Sequence, residues 1–133
     1  MIGYRGYVGS RPPFGCERTP QHVQNIVLRD YARRKGLRYL MGAVEYTMPG
    51  CFQMLESVLD ELSNLNGVLA YSLFMLPSDD NHRCRIYRQF LDTGKALHFA
   101  LEDLALAAED DRDRLETLWQ VQKLTQSIDQ ADP

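Results

Sequence analysis

Strands that alternate with helices predict an α/β fold, an open and mostly parallel sheet of about four strands with helices on both faces and a C-terminal helix. The first observation is a set of mostly apolar runs of strand length, at Tyr4–Ser10, Leu37–Tyr46, Val68–Leu73 and Lys95–Ala100. The second is helical spacing of apolar residues in the segments between them. With 133 residues, we expect a single domain spanning 1–133, with a core at 1–104 and a last helix at 110–128.

The first strand leads into a loop that contains Pro12–Pro13 and Gly15, which exclude regular structure. Thr19 before Pro20 predicts a helix start, with Thr19 as N-cap and proline at the first helical position. The helix should run to about Lys35 and end at Gly36. Its expected buried residues are Val23, Ile26, Val27, Tyr31 and Ala32.

The middle of the chain repeats this alternation. A second helix is predicted over Cys51–Asn64, burying Met54, Leu55, Val58, Leu59 and Leu62. The strand Val68–Leu73 is continuously apolar, which predicts a central position in the sheet.

The chain after the third strand contains two further predicted helices. One runs from about Asn81 to Asp92 and is expected to bury Cys84, Tyr87, Phe90 and Leu91. The alanines and leucines of Asp103–Glu109 permit a helical turn or two. The final helix, Asp110–Ile128, has a stripe containing Leu115, Leu118, Trp119, Gln122 and Leu124. This helix either covers the sheet or meets a second copy of the chain.

Composition restricts the class of protein. No apolar run reaches the ~18–20 residues that span a bilayer, and no signal peptide is apparent, so a cytoplasmic protein with no membrane partner is expected. The three cysteines are isolated, and no dinucleotide-binding or P-loop motif is present, so neither a cofactor nor a metal is predicted. Residues 1–40 carry eight Arg or Lys against two acids, whereas residues 102–133 carry nine acids against three bases. This asymmetry favours an anionic ligand for the first half and argues against nucleic acid as a partner.

The loop after the first strand is the predicted site, because ligands of open α/β sheets bind beyond the carboxyl ends of strands. Arg11 and Arg18 could bind a phosphate or carboxylate together with the N-terminus of the next helix. Ser10 is either a nucleophile activated by His22 or a ligand-binding or turn-capping hydroxyl. The remaining substrate-binding candidates here are Glu17, Gln21, Gln24 and Asn25.

Other predicted strand ends also carry polar groups. Glu45 is a candidate general acid or base, and Tyr46 a candidate hydroxyl donor. Tyr71 and Ser72 are candidate substrate-binding residues at the end of the third strand. For His98 we expect a hydrogen-bonded ring in the sheet, although His98, Glu45 and Glu102 could also converge. Cys16 and Cys51 are thiol nucleophiles if an arginine lowers their pKa, and otherwise belong to polar loops.

Two resemblances add to this interpretation. The segments GYVGS, VLRDYARRKGL, GVLAYSL and LHFALEDL are similar to the catalytic domain of serine recombinases, over about Gly6–Leu104. This resemblance implies a resolvase-like sheet, with Ser10 at the family's nucleophile position and Gln24 at a glutamine of its first helix. The family carries an Asp-Arg pair and another Arg after its third strand, and an Arg after its second strand. This chain departs from it, with Phe74, Met75 and Ser78 at the first positions and Thr47-Met48-Pro49 after the second strand. A phosphodiester transition state needs those cations, so strand exchange is not expected.

The second resemblance spans nearly the whole chain. The segments YRGYVGSRP, ERTPQHVQN, LRDY, AVEYTMPGC, AYSLFMLP and LHFALE resemble sporadic carbohydrate cluster proteins, which implies a role in carbohydrate or surface-glycan biosynthesis. It implies no particular reaction.

Together these observations favour an enzyme without an organic cofactor that acts on a phosphorylated or nucleotide-linked sugar, as an isomerase, lyase or transferase. The alternative is a non-catalytic binding or regulatory module derived from a recombinase-like fold. In either case the C-terminal helix is a candidate interface for a homo-oligomer.

Overall fold

The computed structural model describes the backbone of residues 2–48 and 50–131, and side chains of these residues up to 127. The described residues form five strands and four helices, in the order β1 (Tyr4–Gly9), α1 (Gln21–Lys35), β2 (Tyr39–Glu45), α2 (Gln53–Asp60), β3 (Gly67–Ala70), α3 (Asp80–Thr93), β4 (Ala96–Phe99), β5 (Leu104–Leu106) and α4 (Glu109–Ala131). Two 3₁₀ turns, Leu62–Asn64 and Leu73–Met75, follow α2 and β3. The predicted α/β class is confirmed.

The strands form one sheet in the order β2-β1-β3-β4-β5. The first four strands of this order are parallel, and β5 runs antiparallel to β4. All four residues of β3 are buried, and β3 lies at the centre of the sheet as its apolar run predicts. The carboxyl ends of β1, β2, β3 and β4 therefore meet at one edge of the sheet.

The fifth strand is a correction. The segment Asp103–Glu109 was expected to allow a helical turn, but Leu104–Leu106 pairs with β4 instead. A tight turn makes this possible, with Asp103 in the left-handed region at φ 54°. The hairpin buries Leu106 completely, which a single helical turn on the surface would not do.

Helices cover both faces of the sheet. Alternate residues of a strand point to opposite sides, so Gly6 and its partners Leu69 and His98 share one face. The hydroxyl of Tyr31 on α1 lies 2.9 Å from His98 Nδ1 on that face. On the other face, Arg5 of β1 donates to Glu61 at the end of α2.

His98 is thus the hydrogen-bonded sheet residue that its position predicts. Burial, with a contribution from Lys35, lowers the pKa of its ring below the usual value. The lowered pKa favours the neutral ring at pH 7.

The buried stripe of α1 differs from the expected one. Ile26 is 63% exposed, whereas Gln24, Leu28, Tyr31 and Ala32 are buried. Hydrophobic periodicity cannot predict the burial of a polar residue such as Gln24, because that burial depends on hydrogen-bond partners outside the helix. Thr19 is not the N-cap either, since Pro20 holds that position and no side chain caps the helix.

A buried arginine joins α3 to α4. Arg83 is fully buried, and its Nε and Nη2 donate to the two carboxylate oxygens of Glu116 at 2.7 and 2.6 Å. Nη2 also donates to Asp80, and the guanidinium carbon lies 4.3 Å from the centre of the Trp119 ring. The neighbouring Cys84 is exposed, so its predicted burial is wrong.

The last helix packs against its own chain through two fully buried residues, Leu115 and Trp119. Leu118 and Leu124, which were expected to share their stripe, are 36% and 63% exposed, and Val121 between them is 55% exposed. Because α4 has both a buried side and an exposed apolar side, intrachain packing covers only two of these five apolar residues.

The arginines of α3 provide a matched test of this arrangement. Arg83→Ala should lower the free energy of unfolding by about 3–5 kcal/mol, because it leaves the Glu116 carboxylate without its buried partner. Arg88 also pairs with an acid of α4, Glu109, but both side chains are exposed. Arg88→Ala should therefore cost far less stability than Arg83→Ala, because exposed ion pairs contribute little. Urea denaturation measures the free energy of unfolding of both variants. Equal small losses would contradict a stabilising role for the buried Arg83–Glu116 ion pair.

Candidate active site

The loop between β1 and α1 is held at both ends by one side chain. The buried Gln24 amide accepts from the backbone N–H of Gly9 at 3.1 Å and donates to the Gly9 carbonyl at 2.7 Å. The same amide nitrogen donates to the Thr19 carbonyl at 2.8 Å. Gln24 therefore joins the last residue of β1 to the end of the loop before α1, and its amide makes structural hydrogen bonds in place of the predicted substrate contact.

Arg11 crosses from this loop to the loop after β2. Its Nη1 donates to the carbonyls of Tyr46 and Met48 at 3.1 and 2.6 Å. The guanidinium carbon lies 4.6 Å from the centre of the Phe52 ring, a cation–π contact. The remaining donors of Arg11, Nη2 and Nε, have no partner within the described chain.

The carboxylate of Glu45 lies at the end of β2 and is buried. Oε1 accepts from the backbone N–H groups of Tyr46 and Met54 at 3.1 and 3.0 Å. Oε2 accepts from the Leu55 N–H and the Tyr7 hydroxyl, each at 2.9 Å. Two of these donors belong to the first turn of α2, so Glu45 caps that helix from outside it. Because each oxygen already accepts two hydrogen bonds from the protein, the carboxylate has little capacity left to accept hydrogen bonds from a substrate.

Tyr7 shares this site and was not predicted. Burial raises the pKa of its hydroxyl far above the usual range, and the adjacent Glu45 carboxylate raises it further. The hydroxyl therefore stays protonated and continues to donate to Glu45.

A cavity of about 210 Å³ opens between these residues, at the carboxyl ends of β1 and β2. Its position agrees with the prediction for an open parallel sheet. Aromatic and other apolar side chains form most of its wall, with Tyr7, Arg11, Glu45 and Ser78 as the polar ones. The residues that line it are Tyr7, Gly9, Arg11, Pro12, Pro13, Phe14, Glu45, Gly50, Phe52, Phe74, Met75, Leu76 and Ser78.

One wall of this cavity rests on α4. The rings of Phe14 and Phe74 pack against Trp119, with centroids 5.4 and 5.2 Å away. The Phe14 N–H donates to the Phe74 carbonyl at 2.9 Å, and Gln122 of α4 donates to the Phe14 carbonyl at 3.0 Å. The buried Arg83, which contacts Trp119 and pairs with Glu116, therefore supports the cavity wall as well as α4.

The proposed Ser10 and His22 pair is not assembled. Ser10 donates weakly to the Glu45 carbonyl at 3.5 Å. Its neighbours Gly9 and Arg11 line the cavity, but Ser10 itself does not. His22 is exposed and lies on an open groove beside β2, together with Asn25, Arg29 and Tyr39. No described hydrogen bond joins His22 to Ser10, so the ring does not activate that hydroxyl in this structure.

The other candidates lie outside the cavity. Glu17, Arg18 and Gln21 are exposed, and Tyr46 is 51% exposed. Arg18 therefore does not join Arg11 in an anion cradle. Asn25 is used locally, donating to the Gln21 carbonyl and accepting from Tyr39.

A second polar cluster occupies the ends of β3 and β4. Ser72 donates to Glu102 at 2.7 Å, and the other Glu102 oxygen accepts from the Leu73 N–H. The Tyr71 hydroxyl donates to Thr19 Oγ1 at 3.4 Å. These contacts hold the Leu73–Met75 turn against β4, so Tyr71 and Ser72 serve the loops and not the cavity.

Cys16 lies beside this cluster. Burial raises the pKa of its thiol, and the Glu102 carboxylate adds to the rise. No arginine lowers that pKa, so the thiol lacks the activation that a nucleophilic cysteine needs. Burial also raises the pKa of Glu102.

Metal binding has no support among the described residues, where no group of three or more His, Cys, Asp or Glu side chains is placed to hold an ion. Glu45 is engaged by α2, His98 by Tyr31 and Glu102 by Ser72, so these three residues do not converge. Among the residues that the structure describes, no helix is both long enough and apolar enough to cross a membrane.

Comparison with known proteins gives a fold neighbour. No family model and no curated protein matches the chain. A solved structure, the N-terminal catalytic domain of TP901-1 integrase, aligns with a TM-score of 0.66 at 13% identity, covering 93% of this chain and 98% of that one. The neighbour is a serine recombinase catalytic domain, so the predicted resolvase-like fold is confirmed.

The residues that depart from the recombinase pattern have a clear place in this fold. Phe74 and Met75 line the cavity, and Met75 is buried. Ser78 lies at the same cavity, and Met48 accepts a hydrogen bond from Arg11. Pro49 lies outside the described residues. Two apolar side chains and a serine thus line the cavity at the positions for which the resemblance implied cations.

The aromatic wall was missed by sequence reasoning, which searched the strand ends for polar groups. Phe14, Phe52 and Phe74 lie in loops that follow β1, β2 and β3. Aromatic residues recurring after successive strands were the signal that could have indicated a partly apolar site.

The role of Glu45 can be tested by Glu45→Gln. This change should lower the free energy of unfolding by roughly 3 kcal/mol or more, because an amide nitrogen would face backbone N–H donors. Urea denaturation followed by circular dichroism measures the loss. Glu17→Gln, at an exposed acid in the same region, should stay within about 0.5 kcal/mol of wild type. A Glu45→Gln protein as stable as wild type would contradict the structural role.

Proposed function

We propose that this chain binds a phosphorylated or nucleotide-linked sugar in the cavity beside Arg11, as part of carbohydrate or surface-glycan biosynthesis. The observation that carries the proposal is the cavity itself, which combines a guanidinium that has free donors with aromatic walls. Aromatic rings pack well against the apolar face of a sugar, and a guanidinium forms strong paired hydrogen bonds to phosphate or carboxylate. The resemblance to sporadic carbohydrate cluster proteins supports the same ligand class.

The proposal includes a cofactor-independent reaction of the isomerase, lyase or transferase type. Ser10 and Tyr46 remain the candidates for this chemistry: neither lines the cavity, but each follows a strand whose carboxyl end borders it. Glu45 and His22 are no longer favoured, because Glu45 is saturated with donors and His22 lies on a separate groove.

A non-catalytic binding or regulatory module is the second candidate. The saturation of Glu45 favours it, and so does the apolar stripe of Leu118, Val121 and Leu124 on α4, which is exposed in the single chain. Such a module would use the stripe to contact a second copy or a partner enzyme. Size-exclusion chromatography of wild type and of Val121→Glu tests whether the stripe joins two copies of the chain. An oligomer formed through the stripe should dissociate in the variant.

The two arginines of the first loop provide a direct test of ligand binding. Sugar phosphates and nucleotide sugars should raise the melting temperature of wild type by several degrees, since a ligand at a hundred times its Kd adds about 2.7 kcal/mol. Arg18→Ala should keep this increase, because Arg18 is exposed and away from the cavity. Arg11→Ala should lose it.

Each variant is compared with its own ligand-free melting temperature, so that a destabilised loop is not mistaken for lost binding. The proposal fails if no compound of either class stabilises wild type. It also fails if Arg11→Ala responds as wild type does.

A further inference from the structure

The geometry points to a ligand that is a monosaccharide with one anionic group and few hydroxyls, in preference to a nucleotide-linked sugar. This inference rests on the proposed function, which places a sugar ligand in the cavity. It narrows that ligand by the size, polarity and charge of the lining residues.

The size of the cavity limits the ligand to one ring. An engineered cavity of about 150 Å³ holds a benzene molecule, and pockets for drug-sized ligands measure roughly 300–1,000 Å³. A volume of about 210 Å³ accommodates one six-membered ring and a few substituent atoms. A base, a ribose, two phosphates and a hexose together would leave most of their atoms outside.

The walls favour a ring with an apolar face. Phe14, Phe52 and Phe74 supply aromatic surface, and Met75 and Leu76 add aliphatic surface. Phe14 and Phe74 are held by Trp119, so these walls do not need to be ordered when a ligand binds.

The polar groups of the cavity are mostly occupied. Tyr7 donates its proton to Glu45, and both Glu45 oxygens already accept two hydrogen bonds each. Among the lining side chains, this leaves Arg11 and Ser78 with donors for a ligand. A ring with a full set of hydroxyls would bury several of them without partners, which is costly. A deoxy sugar avoids that cost.

The charge of the cavity calls for one anion. The Arg11 guanidinium contacts two carbonyls and the Phe52 ring, and no described carboxylate forms an ion pair with it. The neighbouring Glu45 charge is already stabilised by its four donors. Arg11 therefore remains as a partly buried cation whose Nη2 and Nε can bind one phosphate or carboxylate.

Titration calorimetry with the full chain tests this inference, with the fluorescence of Trp119 as a second readout. Trp119 is the single tryptophan of the sequence and contacts two cavity walls. The probes are a 6-deoxyhexose 1-phosphate, the matching hexose 1-phosphate, the free 6-deoxyhexose, the corresponding nucleoside diphosphate sugar, the nucleoside monophosphate and phenyl phosphate.

The 6-deoxyhexose 1-phosphate should bind about tenfold more tightly than the hexose 1-phosphate, and at least about tenfold more tightly than the free sugar. The nucleoside diphosphate sugar should bind no more tightly than the sugar phosphate. Phe74→Leu should weaken binding by about tenfold through loss of the aromatic face, while Arg18→Ala should match wild type.

The outcomes separate this inference from the proposed function. If the nucleoside diphosphate sugar binds tenfold more tightly and the nucleoside monophosphate competes with it, the inference is overturned while sugar binding stands. If the hexose 1-phosphate binds as well as its deoxy counterpart, the argument from occupied polar groups is overturned. If phenyl phosphate binds and no sugar does, or if nothing binds, both the inference and the proposed function fail.

Discussion

The buried carboxylate of Glu45 is the interaction on which the rest of this site depends. It joins β1 through the Tyr7 hydroxyl, the loop after β2 through the Tyr46 N–H, and α2 through two N–H groups of its first turn. A buried charge is stable only when its oxygens are fully hydrogen-bonded, and the N-terminus of a helix supplies such donors. Because these partners come from three segments, their relative positions are fixed together, and the cavity between them is formed before any ligand arrives.

Other polar residues at the same edge of the sheet act in the same way. Gln24 holds the Gly9 peptide and the Thr19 carbonyl, and Glu102 holds the turn after β3. Strand ends rich in titratable groups suggest catalysis, yet most of these groups bind backbone atoms of their own chain. What the cavity still offers a ligand is Arg11, Ser78 and an aromatic wall.

Much of the fold could be predicted because local sequence patterns determine most of its strands and helices. Continuous apolar runs identified β1 to β4, and their alternation with helices implied the parallel sheet with β3 at its centre. The strand at Leu104–Leu106 could not be predicted, because its alanines and leucines suit a helix and only pairing with β4 decides otherwise. The burial of Gln24 and Arg83 escaped for a related reason, since each is stabilised by partners far away in the sequence. At the site, the position of Arg11 after the first strand anticipated its place beside the cavity, whereas Arg18 is exposed and does not line it.

Amide hydrogen exchange measured by NMR tests the central claim most directly. The first amides of a helix have no partner within it and normally exchange rapidly. Because Glu45 accepts from Met54 and Leu55, these two amides should exchange about a hundredfold more slowly than that of Gln53, the residue that begins α2. If all three amides exchange at the same rapid rate, the carboxylate does not hold the helix, and the cavity is not preformed.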